Sequence, residues 1–173
     1  MSRERRVPFA PIAAGMSWLE GDAARYVARV LRIGEGDALV VFDPEAAIEA
    51  DAIVTEVRRD RLALTIEAPR PASLRPLREV TLLQATGRGD KLDAIVRDAT
   101  ELGATRFVPI IAERSVSRPG QESSRVDRWR RIAVEAARQC GRGDTLRIEP
   151  PLALDEALTR FSPHADALGI AFD

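Results

Sequence analysis

The sequence predicts an α/β protein made of two successive units, and three observations carry that prediction. Apolar and polar residues alternate with a period of two through much of 38–66; three prolines fall within 69–76; beyond them, strand-like and helix-like patterns take turns. Alternation of the first kind marks a small β-rich unit, expected over residues 1–72. Alternation of the second kind marks a largely parallel sheet covered by helices, expected over residues 77–173.

Taken in order, "DAARYVARVL" (22–31) reads as a helix. Asp22 can cap it, and Ala23, Tyr26, Val27, Val30 and Leu31 fall on one stripe. After the turn "GEGD", the run "ALVVF" (38–42) fits a buried strand, while "IEADAIVT" (48–55) and "LALTI" (62–66) alternate as half-buried strands around the polar turn "RRDR". "PRPASLRP" (69–76) disfavours regular structure and suits a linker. In the second unit "VTLLQAT" (80–86) is a strand, Gly87–Gly89 a turn, and Asp90 a cap for a helix bearing Leu92, Ile95, Val96, Ala99 and Leu102. Gly103 is placed to end that helix in a left-handed conformation. "RFVPII" (106–111) is the next strand. Ser123 or Ser124 can cap a long helix with Val126, Trp129, Ile132, Ala133, Ala136 and Cys140 along one face. "LRIEPPL" leads to a short helix (155–161), and "DALGIAF" (166–172) is predicted as a last strand.

Composition narrows the function classes. A chain of 173 residues, 45% apolar and 31% charged, can bury a core and does not read as disordered. Its apolar runs are far shorter than the roughly 20 residues that span a bilayer, which points to a cytoplasmic protein. One cysteine cannot form an internal disulfide, and Cys140 with His164 cannot make a Cys/His zinc site, so no metal is expected. Acidic residues (27) and basic residues (26) nearly cancel, and no global basic field advertises nucleic acid. Lys91 is the only lysine; nearly all positive charge is guanidinium, suited to bidentate phosphate contacts and to stacking on bases. Ser123–Arg142 holds Arg125, Arg128, Arg130, Arg131, Arg138 and Arg142 against Asp127 and Glu135, and is a candidate anion-binding face.

The stretch "QCGRGD" (139–144) concentrates the chemical candidates. Cys140 lies four residues after Ala136 on the apolar stripe, where a free cysteine packs as a small hydrophobe. "GRGD" also occurs at 87–90, but there it joins a strand to a helix, whereas at 141–144 it ends one. The first of these lacks both the third glycine of a dinucleotide loop and the G-K-[ST] ending of a P-loop. Glu101 in "ATELG" is a candidate, as are Glu113 with Arg114, which follow the end of a strand where parallel sheets bind ligands. A solvated loop fits the same spacing equally well.

Together, "QATGRGDKLDAIVRDATELGATRFVPIIAERSV", "RWRRIAVEAARQCGR" and "EPPLAL" resemble the RsmE family of 16S rRNA (uracil-N3) methyltransferases, and "YVARVLRIGEGDALVVFD" is similar to that family's N-terminal barrel. The resemblance covers most of the chain. It implies a PUA-like RNA-binding β-barrel followed by a SPOUT (α/β knot) domain, dimeric, that uses S-adenosylmethionine to methylate N3 of a uridine in the small ribosomal subunit. Under it "QCGR" corresponds to a Q-[SC]-G-R block, so thiol chemistry is not implied. RNA contact is expected from Arg29, Arg32, Lys91, Arg114 and Arg142, the last protruding from a helix end between two glycines. Glu101, Glu113 and Gln139 are expected to shape the site, with no catalytic base assigned. Departures are Pro44 and Glu45 in place of a glycine after "FD", and Asp98 where a lysine is common. The "GPEGG" and "LGxRILRTETA" blocks that build the knot are absent, so residues that hold the methyl donor are expected beyond Asp173.

Overall fold

The computed structural model describes residues 5–86, 91–111, 122–161 and 168–171. Its backbone divides into two units: one runs to Leu77 and includes Ala133–Thr145, and the other holds Arg78–Ile132 and the residues from Leu146 onward.

The first unit contains β1 (Arg6–Pro8), β2 (Gly15–Glu20), helix α1 (Gly21–Arg29), β3 (Ala38–Asp43), β4 (Ile48–Val57), β5 (Arg61–Ile66) and β6 (Arg70–Pro71). The strands order as β1-β3-β4-β5-β2, with β6 on β4; only β1–β3 is parallel. The two-residue period does its work on β4 and β5. Ala50, Ala52 and Val54, and then Leu62, Leu64 and Ile66, point into one core with Leu19, Val27, Leu39 and Val41. β3 is buried on both faces, as its unbroken apolar run requires. Its entry turn is closed by the Gly34 N–H donating to Asp37 Oδ2 at 2.8 Å, which with the charge of Arg5 holds the Asp37 carboxyl below its ordinary range despite some desolvation. Its exit turn is closed by Asp43 Oδ1, which accepts from the N–H groups of Glu45 and Ala46.

Three expectations change here. Helix α1 begins at Gly21 with Glu20 at the cap position, and Asp22 lies inside the first turn, paired with Arg25. Part of the proline-rich stretch is a strand: Arg70–Pro71 pairs with Ile48–Glu49 at a sheet edge, where a proline is tolerated. Strands β1 and β2 were not anticipated. Three residues that pair in parallel with a strand more than thirty positions away leave no local signal.

In the second unit, β7 (Thr81–Ala85), α2 (Lys91–Glu101), β8 (Arg106–Ile111), the part of α3 (Glu122–Cys140) up to Ile132, β9 (Arg147–Ile148), β10 (Leu152–Ala153) and α4 (Leu154–Arg160) follow in the predicted rhythm. Strand β8 is central and all its pairings are parallel. Strand β7 takes one edge of β8; β9 and β10 share the other, separated by Pro150–Pro151, which cannot continue a ladder. Helix α2 buries Leu92, Val96 and Ala99 and ends at Gly103 with φ 92°, the left-handed conformation that glycine accepts without strain. Phe107 meets Trp129 edge to face, and the Trp129 indole N–H donates to Asp93 at 3.1 Å. The long helix starts at Glu122, so Ser123 and Ser124 sit inside its first turn and do not cap it. The predicted last strand is not formed over Leu168–Ala171, which carry no regular structure; the rest of that stretch, and the expected cap Asp90, lie outside the described residues.

Candidate functional site

Helix α3 contributes Ala133–Cys140 to the first unit, and the loop after it answers what "QCGRGD" is for. Gly141, at φ 88°, ends the helix, its N–H donating to Ala137 O at 2.9 Å. The Gly143 N–H then donates to Leu74 O at 3.0 Å. A Cβ on Gly143 would lie 2.1 Å from the Cβ of Ala72, so only glycine permits this approach. The tetrapeptide is a docking loop clasped to residues 72–74.

Arg142 overturns its expectation. Its side chain is 4% exposed. Its Nε and Nη2 donate to Asp144 Oδ1 and Oδ2 at 2.9 and 2.7 Å, a bidentate pair. Flanking glycines do not free this arginine; they let the chain turn tightly enough to fold it inward. Cys140 is half-buried, and its thiol lies 3.6 Å from Ala137 O.

The same unit buries a second ionic cluster. Arg6 Nη2 donates to Glu49 Oε2 at 2.7 Å, with side chains 4% and 2% exposed. Arg70 approaches the other Glu49 oxygen at 3.6 Å while forking onto Asp51 at 2.8 and 3.0 Å. Burial opposes ionisation of Glu49, but hydrogen bonds from Arg6 and Ser73 and the charge of Arg6 outweigh it and hold the carboxyl below its ordinary value.

The basic run on α3 is largely neutralised in place. Arg128 pairs with Asp93, Arg130 with Asp127, and Arg138 with Glu135 and the Tyr26 hydroxyl; Arg125 stacks on Trp129. Three of the five arginines on that helix are thus ion-paired, which weakens the anion-binding face its composition suggests, while Arg131 stays exposed. Among the described residues, exposed cations without an ionic partner include Arg29 and Arg32 at the C-terminal end of α1, Arg59 in the β4–β5 turn, Arg75 and Arg78 after β6, and in the second unit Lys91, Arg97, Arg147, Arg160 and, on α3 itself, Arg131. Arg29 and Arg32 share one end of one helix. Lys91 and Glu101, both exposed, are at opposite ends of α2, about 15 Å apart along its axis, so they cannot touch the same small group. Gln139 is exposed on α3. Glu113 and Arg114 lie outside the described residues.

Sequence reasoning also missed Trp18. It stands on the outer face of β2 opposite Ala63 of β5, while its neighbour Leu19 faces the core. Arg61 and Arg58 place their guanidinium carbons 4.2 and 5.2 Å from its ring centroid. Tryptophan within "GMSWLE" was the available signal.

Among the described residues there is no group of acidic, histidine or cysteine side chains that could hold a metal ion, and no helix long and apolar enough to cross a membrane.

A PUA-like sheet followed by the strands of a SPOUT-type α/β sheet defines an RNA-modifying architecture. Residues 74–172 match an RNA methyltransferase domain, and 19–67 match an RNA methyltransferase PUA domain. The chain belongs to the RsmE family of RNA methyltransferases. It is 30% identical over 145 residues to ribosomal RNA small subunit methyltransferase E of Bacillus subtilis, covering 82% of this chain and 56% of that protein. With the protein of the same name from Synechocystis it shares 34% over 136 residues, 76% of this chain and 42% of the relative. The crystal structure of that methyltransferase from Neisseria gonorrhoeae, bound to S-adenosyl methionine, superposes with a TM-score of 0.82 at 25% identity, over 94% of this chain and 67% of the other. The chain spans about half the length of the curated relatives it matches.

Proposed function

We propose that this chain carries the RNA-binding unit and the first strands of the catalytic domain of an enzyme that methylates N3 of a uridine in the 16S rRNA of the small ribosomal subunit, with S-adenosylmethionine as donor. The observation that carries this reading is the succession of two family matches, PUA then methyltransferase, over residues 19–67 and 74–172 of one chain. Chemistry fits it: uridine N3 bears a proton and lies on the Watson–Crick edge of the base, so methylation requires that edge to be exposed and the base held in place. Arg29 and Arg32, exposed and without ionic partners, supply phosphate contacts in the first unit, and Lys91 and Arg114 are RNA contacts of the second. Gln139 of the first unit and Glu113 of the second are the remaining site-shaping candidates, while Glu101 stands at the opposite end of α2 from Lys91. Arg142 acts from within the fold, holding the 141–144 loop.

The donor itself finds no complete site among the described residues. The C-terminal ends of the parallel strands offer Ala85, Thr86, Ile111 and Ala153, and the Thr86 hydroxyl already donates to Ile110 O at 3.2 Å. An adenosine, an ammonium and a carboxylate need more polar partners than these. In this reading the donor is held by the part of the relatives' length that this chain does not span. The 173 residues alone then bind RNA without transferring methyl groups; the longer enzyme is a cytoplasmic homodimer.

The test is direct. Small subunits lacking the modification are incubated with the 173-residue chain and labelled S-adenosylmethionine, and titration calorimetry follows donor binding. Binding to the subunits without label incorporation or donor binding is expected. Tight donor binding by this chain would show the site to be misplaced, and failure to bind the subunits would remove the RNA assignment.

A further inference from the structure

The outer face of the first unit carries a cluster that no part of the reading above uses. Side chains on the inner face of β2 and β5 fill the core, and on the outer face Trp18 is the one aromatic among the described residues of those two strands. It is half-buried and stands opposite small Ala63, which is itself buried. Two guanidinium groups lie over the indole, and each has a carboxylate near it. Arg58 Nε donates to Glu56 Oε1 at 2.5 Å, and Arg61 lies 3.9 Å from Glu20 Oε1. Arg58 and Arg61 remain 51% and 41% exposed. A cleft lined by Glu20, Gly21 and Arg58–Arg61 opens beside the stack.

Each feature is chemically informative. A guanidinium plane is weakly hydrated on its faces, so one already stacked on an aromatic can accept a second π-system at little desolvation penalty. The carboxylates occupy guanidinium edges and oppose phosphate there, leaving the flat faces as the available surface. Arg59, exposed and without an ionic partner, stands between them in the turn and is free to take a phosphate. Weakly hydrated guanidinium faces beside one unneutralised cation match an unpaired nucleotide: its base stacks, its phosphate is gripped.

We propose that Trp18, Arg58 and Arg61 form a stacking platform for an unpaired RNA base, with Arg59 contacting its phosphate. This deepens the reading of the chain as an rRNA-binding protein and rests on it. Local charge is balanced, three arginines against Glu20, Glu56 and Asp60, so the part contributed by Trp18, Arg58 and Arg61 comes from stacking and is nearly independent of salt, and only the Arg59 contact is salt-sensitive. Contacts from Arg29 and Arg32 release counterions and weaken steeply with salt.

The experiment uses the 173-residue chain and a fluorescein-labelled single-stranded decamer of uridine, with a duplex of equal length as competitor. Trp18→Ala is expected to weaken decamer binding on the order of 5- to 150-fold, the range for one base–aromatic stack. That deficit should hold from about 50 to 200 mM salt, whereas the deficit of Arg29→Ala/Arg32→Ala shrinks over the same range. Duplex should compete poorly, and 5-iodouridine photocross-links should map to the peptide holding Trp18. If Trp18→Ala does not fold by circular dichroism, Arg58→Ala/Arg61→Ala decides the question, with the same expected loss. Wild-type binding that survives these changes overturns the platform and leaves the broader functional reading standing. Altered self-association with unchanged RNA affinity also overturns it, by making this face a contact between copies of the chain. A wild-type chain that binds neither decamer nor small subunits defeats the functional reading, and the platform with it.

Discussion

The two units solve the problem of burial differently. Among the described residues, the first encloses Arg6, Asp43, Glu49 and Arg142, whereas the only polar side chain buried in the second is Thr100, whose hydroxyl donates to its own helix at Val96 O. The second unit is centred on Phe107, Val108, Ile110 and Trp129. Paired charges are directional and strong but unforgiving, since removing one partner leaves the other desolvated. Apolar packing is tolerant and blind to protonation. The first unit should therefore lose more from single polar changes and respond to acid, while the second should respond to lost volume and hardly to pH.

The sharpest way to break that contrast is Glu49→Ala, which takes away the carboxylate that Arg6 and Arg70 share. A loss of about 3–5 kcal/mol is expected, read by urea unfolding with pulsed hydrogen exchange so that peptides of each unit are followed separately. Protection should fall across β3–β5 and stay unchanged in β8. Protonation does the same more gently. The Glu49 carboxyl is held below its ordinary value of 4.5, so its contribution is complete above that pH and fades as pH falls through the lowered folded value. Glu49→Gln should flatten the acid limb of the first unit's stability, with a residual slope from Asp37, whose carboxyl is also lowered. An unchanged acid limb would refute the assignment. In the second unit, Phe107→Ala should cost about 3–5 kcal/mol through lost volume, with no pH dependence of its own.

Next in size is Gly143→Ala. Its added methyl would meet Ala72 at 2.1 Å, and a backbone shift must relieve it. A cost of about 1–3 kcal/mol is expected, as for overpacking. Ala72→Gly in the same chain should recover part of it, a rescue that a general effect on the loop would not show.

Much of this was legible in the sequence. The period-two runs became β4 and β5, the alternating rhythm became the parallel sheet, and Gly103 and Gly141 end helices as their positions predicted. What was lost is non-local. Nothing near Arg142 says that Asp144 will meet its guanidinium, because that geometry depends on a turn docked against Leu74, nearly seventy residues earlier in the chain. Likewise the basic run on α3 looked like a more open binding face than it is because Asp93, which pairs with Arg128, and the Tyr26 hydroxyl, which accepts from Arg138, come from distant segments. Charge counted along a sequence says little about field at a surface. Trp18 shows the converse: a large aromatic, in a stretch with no periodicity to place it, faces outward because its neighbour Leu19 claims the inside.

The smallest effect separates stability from function at the end of α1. Arg32 adopts φ 52°, a conformation that favours glycine, and it does so where the chain must turn to bring Ile33 into the core, the Ile33 N–H reaching Val27 O at 3.2 Å. A left-handed non-glycine residue costs about 1–2 kcal/mol, and the extra unfolded-state freedom of glycine offsets about 0.5–1 kcal/mol of that. Arg32→Gly should therefore stabilise the first unit by roughly 0.5–1 kcal/mol. If Arg32 contacts phosphate, the same substitution should weaken RNA binding and lower the slope of log K against log salt by about 0.9. Opposite movements of stability and affinity would mark a side chain kept for its charge despite its backbone. A gain in stability with unchanged salt dependence would leave Arg29 alone at that helix end, and the turn at Arg32 would then serve only to seat Ile33.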